Sequence, residues 1–342
     1  MVDPAQVGDV SAGTPVDPGR PAVFLLPGQG SQHVRMAAGL YGRHEDFSAA
    51  MDMVFALIGK DGAAVRADWL SATPRVPIEH VIRSQILLFA VDYAIGVQLR
   101  AWGVRPAALL GHSVGEIAGA VLAGVFELRD AVHLMWDRIC RLAKAPPGGM
   151  AAVAATPDQV LPFLEDGVVI GAVNAPRQVV LSGPAAGLDT VTARLRAAGF
   201  TLRPVAASTA FHSPMLREVA EQAVPVIARM TARAPKTTLM SGYTAAPLTA
   251  EQVTDARFWA SHPVAPVRFW PALERLLREV PQCVLIEVGP GQWLSTLARR
   301  HPAVLAGRCL VRPSLPARPA GDEADLECFE RLGAGLARPV RW

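Results

Sequence analysis

The sequence predicts an α/β fold: a mainly parallel sheet between helices, carrying an inserted small subdomain. Three observations predict it. First, two short apolar runs, Ala22–Leu26 and residues 107–110, each stop at a Gly-rich turn, Pro27-Gly28-Gln29-Gly30-Ser31-Gln32 and Gly111-His112-Ser113-Val114-Gly115-Glu116. Such runs read as buried strands. Second, helical patterns lie between and after them, and strands alternating with helices favour a parallel sheet. Third, residues 150–205 change rhythm to strand, helix, strand, strand, helix, strand, which is the ferredoxin-like order.

The elements follow in order. Residues 1–20, rich in Pro, Gly, Asp and Val, have neither a basic start nor an apolar core, so they read as a disordered leader and not a signal peptide. Residues 84–102 place Ile86, Leu87, Phe89, Ala90, Tyr93, Ala94 and Val97 mostly at helical spacing. Residues 114–123 form a small-residue helix, and residues 129–143 another, ended by Pro146-Pro147-Gly148-Gly149. The small subdomain reads as strand 150–155, helix 157–165, strand 168–173, strand 178–182, helix 188–198 and strand 201–205. The chain returns through Phe211-His212-Ser213-Pro214 to a long helix, 215–232. A strand at 284–288 ends in Gly289-Pro290-Gly291, and the Pro- and Arg-rich end has one helical patch near 326–332. The expected organisation is therefore a large body, 21–147 and 209–312, a small subdomain, 148–208, and a tail, 313–342.

Composition narrows the function classes. With 342 residues and 51% hydrophobic content the chain can build a sizeable core. Its 33 basic and 30 acidic residues are interspersed, giving +3 overall, so no basic stripe suggests nucleic acid. Cys140, Cys283, Cys309 and Cys328 lack the close spacing of a metal or redox site, and suit a reducing cytoplasm. The most apolar stretch, residues 117–126, is well short of the roughly 20 residues that cross a bilayer. A cytoplasmic monomer with no metal, no membrane and no nucleic-acid partner is expected.

The turn around Ser113 carries the chemistry. A serine between strand and helix has its hydroxyl pushed outward, needs glycine on both sides, and sets the following N–H at a helix N-terminus. An esterase could use the same turn. Four motifs in order, PGQGSQ (27–32), GHSVGE (111–116), AFHS (210–213) and EVGPG (287–291), together resemble the malonyl-CoA:acyl-carrier-protein transacylase family, including the acyltransferase domains of modular polyketide synthases. The resemblance runs from about residue 22 to 313.

That resemblance implies an α/β-hydrolase-like core with the ferredoxin-like insertion. It implies Ser113 as nucleophile, His212 as base, and the Val114 N–H with Gln29 as the oxyanion hole. Arg138 matches the arginine that pairs with the free carboxylate of a malonyl-type group, a task suited to a planar guanidinium. Gln85, Phe211 and Asn174 match residues along the acyl and pantetheine path, Phe211 favouring malonyl over methylmalonyl. Trp136 and Ile139, beside Arg138, stand where small residues are expected and would alter the acyl pocket. The backbone carbonyl at His262 would orient the catalytic histidine.

The implied substrates are a coenzyme A thioester and the phosphopantetheine of an acyl carrier protein, with no bound cofactor. Arg299 and Arg300 are candidate docking groups for an acidic carrier. The expected protein is a free-standing acyltransferase of polyketide, and so antibiotic, biosynthesis, acting in trans by a ping-pong route. Two alternatives stay open: transfer of a bulkier acyl or aminoacyl group between two carriers, and hydrolysis. For a hydrolase, Asp158, Asp166 or Asp189 would be the third triad member by chain order.

Overall fold

The computed structural model describes residues 19–336; the expected leader lies almost wholly outside them. The main sheet contains β1 (Ala22–Leu26), β2 (Pro106–Gly111), β7 (Thr238–Ser241), β8 (Ala246–Pro247), β9 (Val284–Glu287) and β10 (Leu310–Pro313), in the order β10-β9-β1-β2-β7-β8. All neighbours are parallel except the β7–β8 pair. The central strands are apolar throughout because both faces are covered. Phe24 and Leu26 pack with Leu109 into one core, while Val23 and Leu25 pack with Ala108 and Leu110 into the other.

The Val81–Ala101 helix crosses the first core and is largely buried. It is one helix among the described residues long and apolar enough to cross a membrane, which the expectation drawn from residues 117–126 does not cover. In this fold, 83% of its most apolar window is buried inside the protein. A buried ion pair, Arg83 Nε to Asp68 at 2.8 Å, fixes its first turn.

The second sheet contains β3 (Gly148–Val153), β4 (Val169–Ala175), β5 (Gln178–Pro184) and β6 (Leu202–Pro204), antiparallel in the order β4-β5-β3-β6. That order is ferredoxin-like. Its own core joins Val153, Val179 and Leu181 to Val191 and Leu195 of the Ala185–Ala197 helix. Val267 ties this sheet to the main body, donating to the Gly171 carbonyl at 2.9 Å and accepting from the Val173 N–H at 2.8 Å.

Several elements differ from the sequence reading. The helix expected at 157–165 covers only Pro157–Val160 and continues as a 3-10 turn to Phe163, since Pro162 supplies no backbone donor. The helix expected to reach 232 stops at Ile227, two residues after Pro225. Beyond it lie β7 and β8, which the sequence reading lacks, being four and two residues long. The C-terminal patch is a helix of four turns, Asp322–Leu336.

Candidate active site

Strand β2 delivers Ser113 to the carboxyl edge of the sheet, beside the loop that leaves β1. Loops at these strand ends are where an open α/β sheet places its ligands. Ser113 takes φ 55° and ψ −116°, a left-handed strand-to-helix corner that costs backbone strain for a side-chain-bearing residue. The flanking glycines make the corner possible: a Cβ on Gly111 would lie 2.2 Å from the Glu116 nitrogen, and one on Gly115 2.2 Å from the Leu26 oxygen. Val114 opens the Val114–Ala123 helix, so its N–H has no intrahelical acceptor.

His212 meets Ser113 from the far side of the small subdomain. The Ser113 Oγ and His212 Nε2 are 2.9 Å apart, and His212 Nδ1 is 2.9 Å from the Ala265 carbonyl oxygen. With Nδ1–H donating to that carbonyl, Nε2 is left to accept the Ser113 proton. The backbone is held as firmly, its N–H donating to the Pro263 carbonyl at 2.7 Å. Burial lowers the His212 pKa to about 4, against the raising effect of its backbone hydrogen bonds, and the Arg138 charge lowers it further. The imidazole is therefore neutral at pH 7 and able to act as a base.

Two cavities open on either side of this pair. The smaller, about 20 Å³, is bounded by Gln85, Met135, Arg138, Leu142, Phe211 and Tyr243. The larger, about 260 Å³, runs outward between the sheets past Gln29, His112, Asn174, Arg203 and Trp293. Ser113, Phe211 and His212 border both.

Arg138 is buried in the smaller cavity. One N–H bonds the Trp259 carbonyl at 3.0 Å, its Nε has no partner, and no carboxylate lies within 4.0 Å among the described residues. Burial lowers its pKa to about 10, which leaves it charged at neutral pH. Close by, Glu116 accepts from the Gly242 N–H at 2.7 Å, and burial raises its pKa to about 8.

The acyl transferase domain family matches residues 23–301. The chain belongs to this family. This acyltransferase is 36% identical over 310 residues to a phenolphthiocerol/phthiocerol polyketide synthase of Mycobacterium tuberculosis, covering 90% of the chain and 21% of that protein. It thus spans about a fifth of that curated relative. Among solved structures, the acyltransferase domain from the second module of the salinomycin polyketide synthase superposes with TM-score 0.81 at 33% identity, covering 91% of this chain and 72% of the other. The malonyl-CoA:acyl carrier protein transacylase of Xanthomonas oryzae superposes with TM-score 0.77 at 27% identity, covering 90% and 97%. The chain is an acyltransferase of the polyketide synthase and malonyl-CoA:acyl-carrier-protein transacylase type.

Of the expected residues, Ser113, His212, Val114, Gln85, Arg138 and Phe211 converge on the small cavity of the acyltransferase, and Gln29 and Asn174 on the large one. The Gln29 side-chain oxygen accepts from Gln85 Nε2 at 2.6 Å, which fixes that side chain between the two cavities. Asn174 Oδ1 lies 2.9 Å from His112 Nε2 and fixes that ring beside Trp293. Arg299 is half-buried and Arg300 exposed at the end of the Trp293–Ala298 helix, outside both cavities.

Several expectations are corrected. Trp136 and Ile139 do not line the small cavity: helical spacing aims Met135, Arg138 and Leu142 at it, while Trp136 and Ile139 pack into the first core. The carbonyl at 2.9 Å from His212 Nδ1 belongs to Ala265, and the His262 backbone, expected in that role, is a second and weaker hydrogen-bond partner of the ring. Asp158, Asp166 and Asp189 lie on the small subdomain, away from the site, and the position a triad acid would take is filled by that carbonyl. Sequence reasoning missed Tyr243, whose hydroxyl faces Ser113, together with His112, Met135 and Leu142. His112 had a signal, as the residue beside the serine; Tyr243 follows Ser241-Gly242 in a segment with no pattern.

Proposed function

We propose that this acyltransferase loads a malonyl group from coenzyme A onto the phosphopantetheine thiol of an acyl carrier protein. The observation that carries the malonyl assignment is the buried Arg138 guanidinium, unpaired with any described carboxylate, in the small cavity beside Ser113. The Ser113 hydroxyl attacks the thioester carbonyl as His212 Nε2 takes its proton. The Val114 N–H and the Gln29 backbone N–H stabilise the developing oxyanion. Protonated His212 returns the proton to the departing thiolate, leaving the malonyl ester on Ser113. The carrier thiol then attacks that ester by the reverse sequence, a ping-pong cycle.

The two cavities suit the two parts of such a substrate. The small one holds the acyl group against Arg138, and the long one receives pantetheine past Asn174 and Trp293. Nothing in this chemistry asks for a metal or a bound cofactor. Arg299 and Arg300 are candidate contacts for an acidic carrier. The Xanthomonas relative, described as a malonyl-CoA:acyl carrier protein transacylase, supports the substrate class. The bulky Phe211 and Tyr243 side chains lining the small cavity count against the bulkier acyl or aminoacyl alternative. A carbonyl in place of a triad acid counts against an ordinary esterase.

The test is intact-protein mass spectrometry after mixing with malonyl-CoA, followed by addition of a separate holo carrier protein. A malonyl adduct on Ser113 that moves to the carrier is expected. No adduct, or release of free malonate at the same rate without carrier, overturns the proposal.

A further inference from the structure

Tyr243 is placed by a backbone that cannot shift easily. The preceding Gly242 donates its N–H to Glu116 Oε2 at 2.7 Å, and its carbonyl accepts from the Arg268 N–H at 2.6 Å. A Cβ at Gly242 would come within 3.0 Å of the Gly111 oxygen, so the segment runs close against the nucleophile strand. From there the Tyr243 ring reaches into the small cavity and stacks on His262, with centroids 4.0 Å apart and planes 21° apart. His262 is wedged in turn against Phe258 and Trp259, at 5.3 Å and 5.1 Å between centroids. Trp259 also supplies the carbonyl that holds Arg138. The ring, its backing and the guanidinium are thus one packed unit, and tight packing resists added volume.

We propose that Tyr243, braced by His262, is the wall of the acyl pocket that limits the size of the acyl group this enzyme accepts. The inference rests on the small cavity being the acyl pocket. It goes beyond the carboxylate reading because a wall discriminates by bulk whether or not the acyl group is charged. An α-methyl or α-ethyl substituent on a group esterified to Ser113 would meet the Tyr243 ring or the opposing Phe211. Tyr243 is held by its stack on His262 and Phe211 by Leu142 and Leu216, so neither ring yields readily to it. Discrimination of a single added carbon in such a pocket is about tenfold or more.

The experiment measures the rate of acyl-enzyme formation by mass spectrometry in two series. One is malonyl-, methylmalonyl- and ethylmalonyl-CoA; the other is acetyl-, propionyl- and butyryl-CoA. The protein is compared with Tyr243→Val and Tyr243→Phe. The native enzyme is expected to slow with each added carbon in both series. Tyr243→Val is expected to raise the large-to-small ratio by about tenfold or more, and Tyr243→Phe, which keeps the ring, to leave that ratio in place. A native enzyme that takes ethylmalonyl as readily as malonyl and butyryl as readily as acetyl overturns the proposal, whatever the variants do. So do unchanged ratios in a folded Tyr243→Val. Loading confined to the uncharged series, still with a size limit that Tyr243→Val relaxes, would retire the malonyl reading and leave the wall standing.

Discussion

Replacing Arg138 with Met should separate function from stability in opposite directions. The guanidinium is buried with one hydrogen bond, to the Trp259 carbonyl, and no carboxylate partner among the described residues. Its pKa falls from 12.5 to about 10, equivalent to roughly 3 kcal/mol against the charged form at neutral pH. The sign follows: the unfolded chain holds this proton more tightly, so below pH 10 the charge opposes folding. Met fills most of the same space without a charge and forfeits one hydrogen bond of about 1 kcal/mol. A net gain of about 1–2 kcal/mol in unfolding free energy is expected, read by urea denaturation. Malonyl loading should move the other way, because a desolvated charge pair is worth about 2–5 kcal/mol and even 3 kcal/mol is two decades in rate. Acetyl loading should change by no more than a few-fold. Equal loss for malonyl and acetyl would refute the carboxylate role, and marked destabilisation would refute the argument that the cation is held at a cost.

Three further outcomes test the remaining parts. Ser113→Ala should abolish the acyl-enzyme in mass spectra and cut transfer by about 10³-fold or more; unchanged transfer would remove Ser113 from the reaction. Since His212 is neutral down to about pH 4, kcat/KM for acylation should hold across neutral pH and lose its base only near pH 4, whereas an acid limb at pH 6.5 would mean a solvated imidazole. Arg83→Ala leaves the buried Asp68 carboxylate with the Arg75 N–H but without its counter-charge, so denaturant titration should show a loss of about 1–3 kcal/mol.

How far the site was legible depends on what held each residue in place. Ser113 could be read because a strained corner needs glycine at Gly111 and Gly115, and that need is written into adjacent positions. The small subdomain was legible for a similar reason: alternation and turns are local, and all six of its elements fall near their expected places. Tyr243 was not legible. Its position follows from β7, a strand of four residues whose place beside β2 depends on long-range packing and leaves almost no period to detect. Trp136 and Ile139 neighbour Arg138 in sequence but not at the cavity, because a helix turns successive side chains by about 100°.

The hold on His212 shows why chain order alone misleads about mechanism. Asp158, Asp166 and Asp189 are candidates by their place between Ser113 and His212 in sequence, yet all three sit on an inserted subdomain whose fold is closed by its own core. The ring is instead oriented by the Ala265 carbonyl, on the loop whose next residues, through Val267, pair with β4. A carbonyl fixes the tautomer as well as a carboxylate does but brings no full negative charge to an imidazolium. With Arg138 close enough to lower the His212 pKa further, the free site disfavours a protonated base. A malonyl carboxylate paired with Arg138 would offset that positive field in the acylated enzyme, so the correct acyl group would itself ease the protonation of His212 that thiol attack requires. The acid limb for deacylation from a malonyl ester should then lie at higher pH than the limb for an acetyl ester, and coincident limbs would show that the two charges do not communicate.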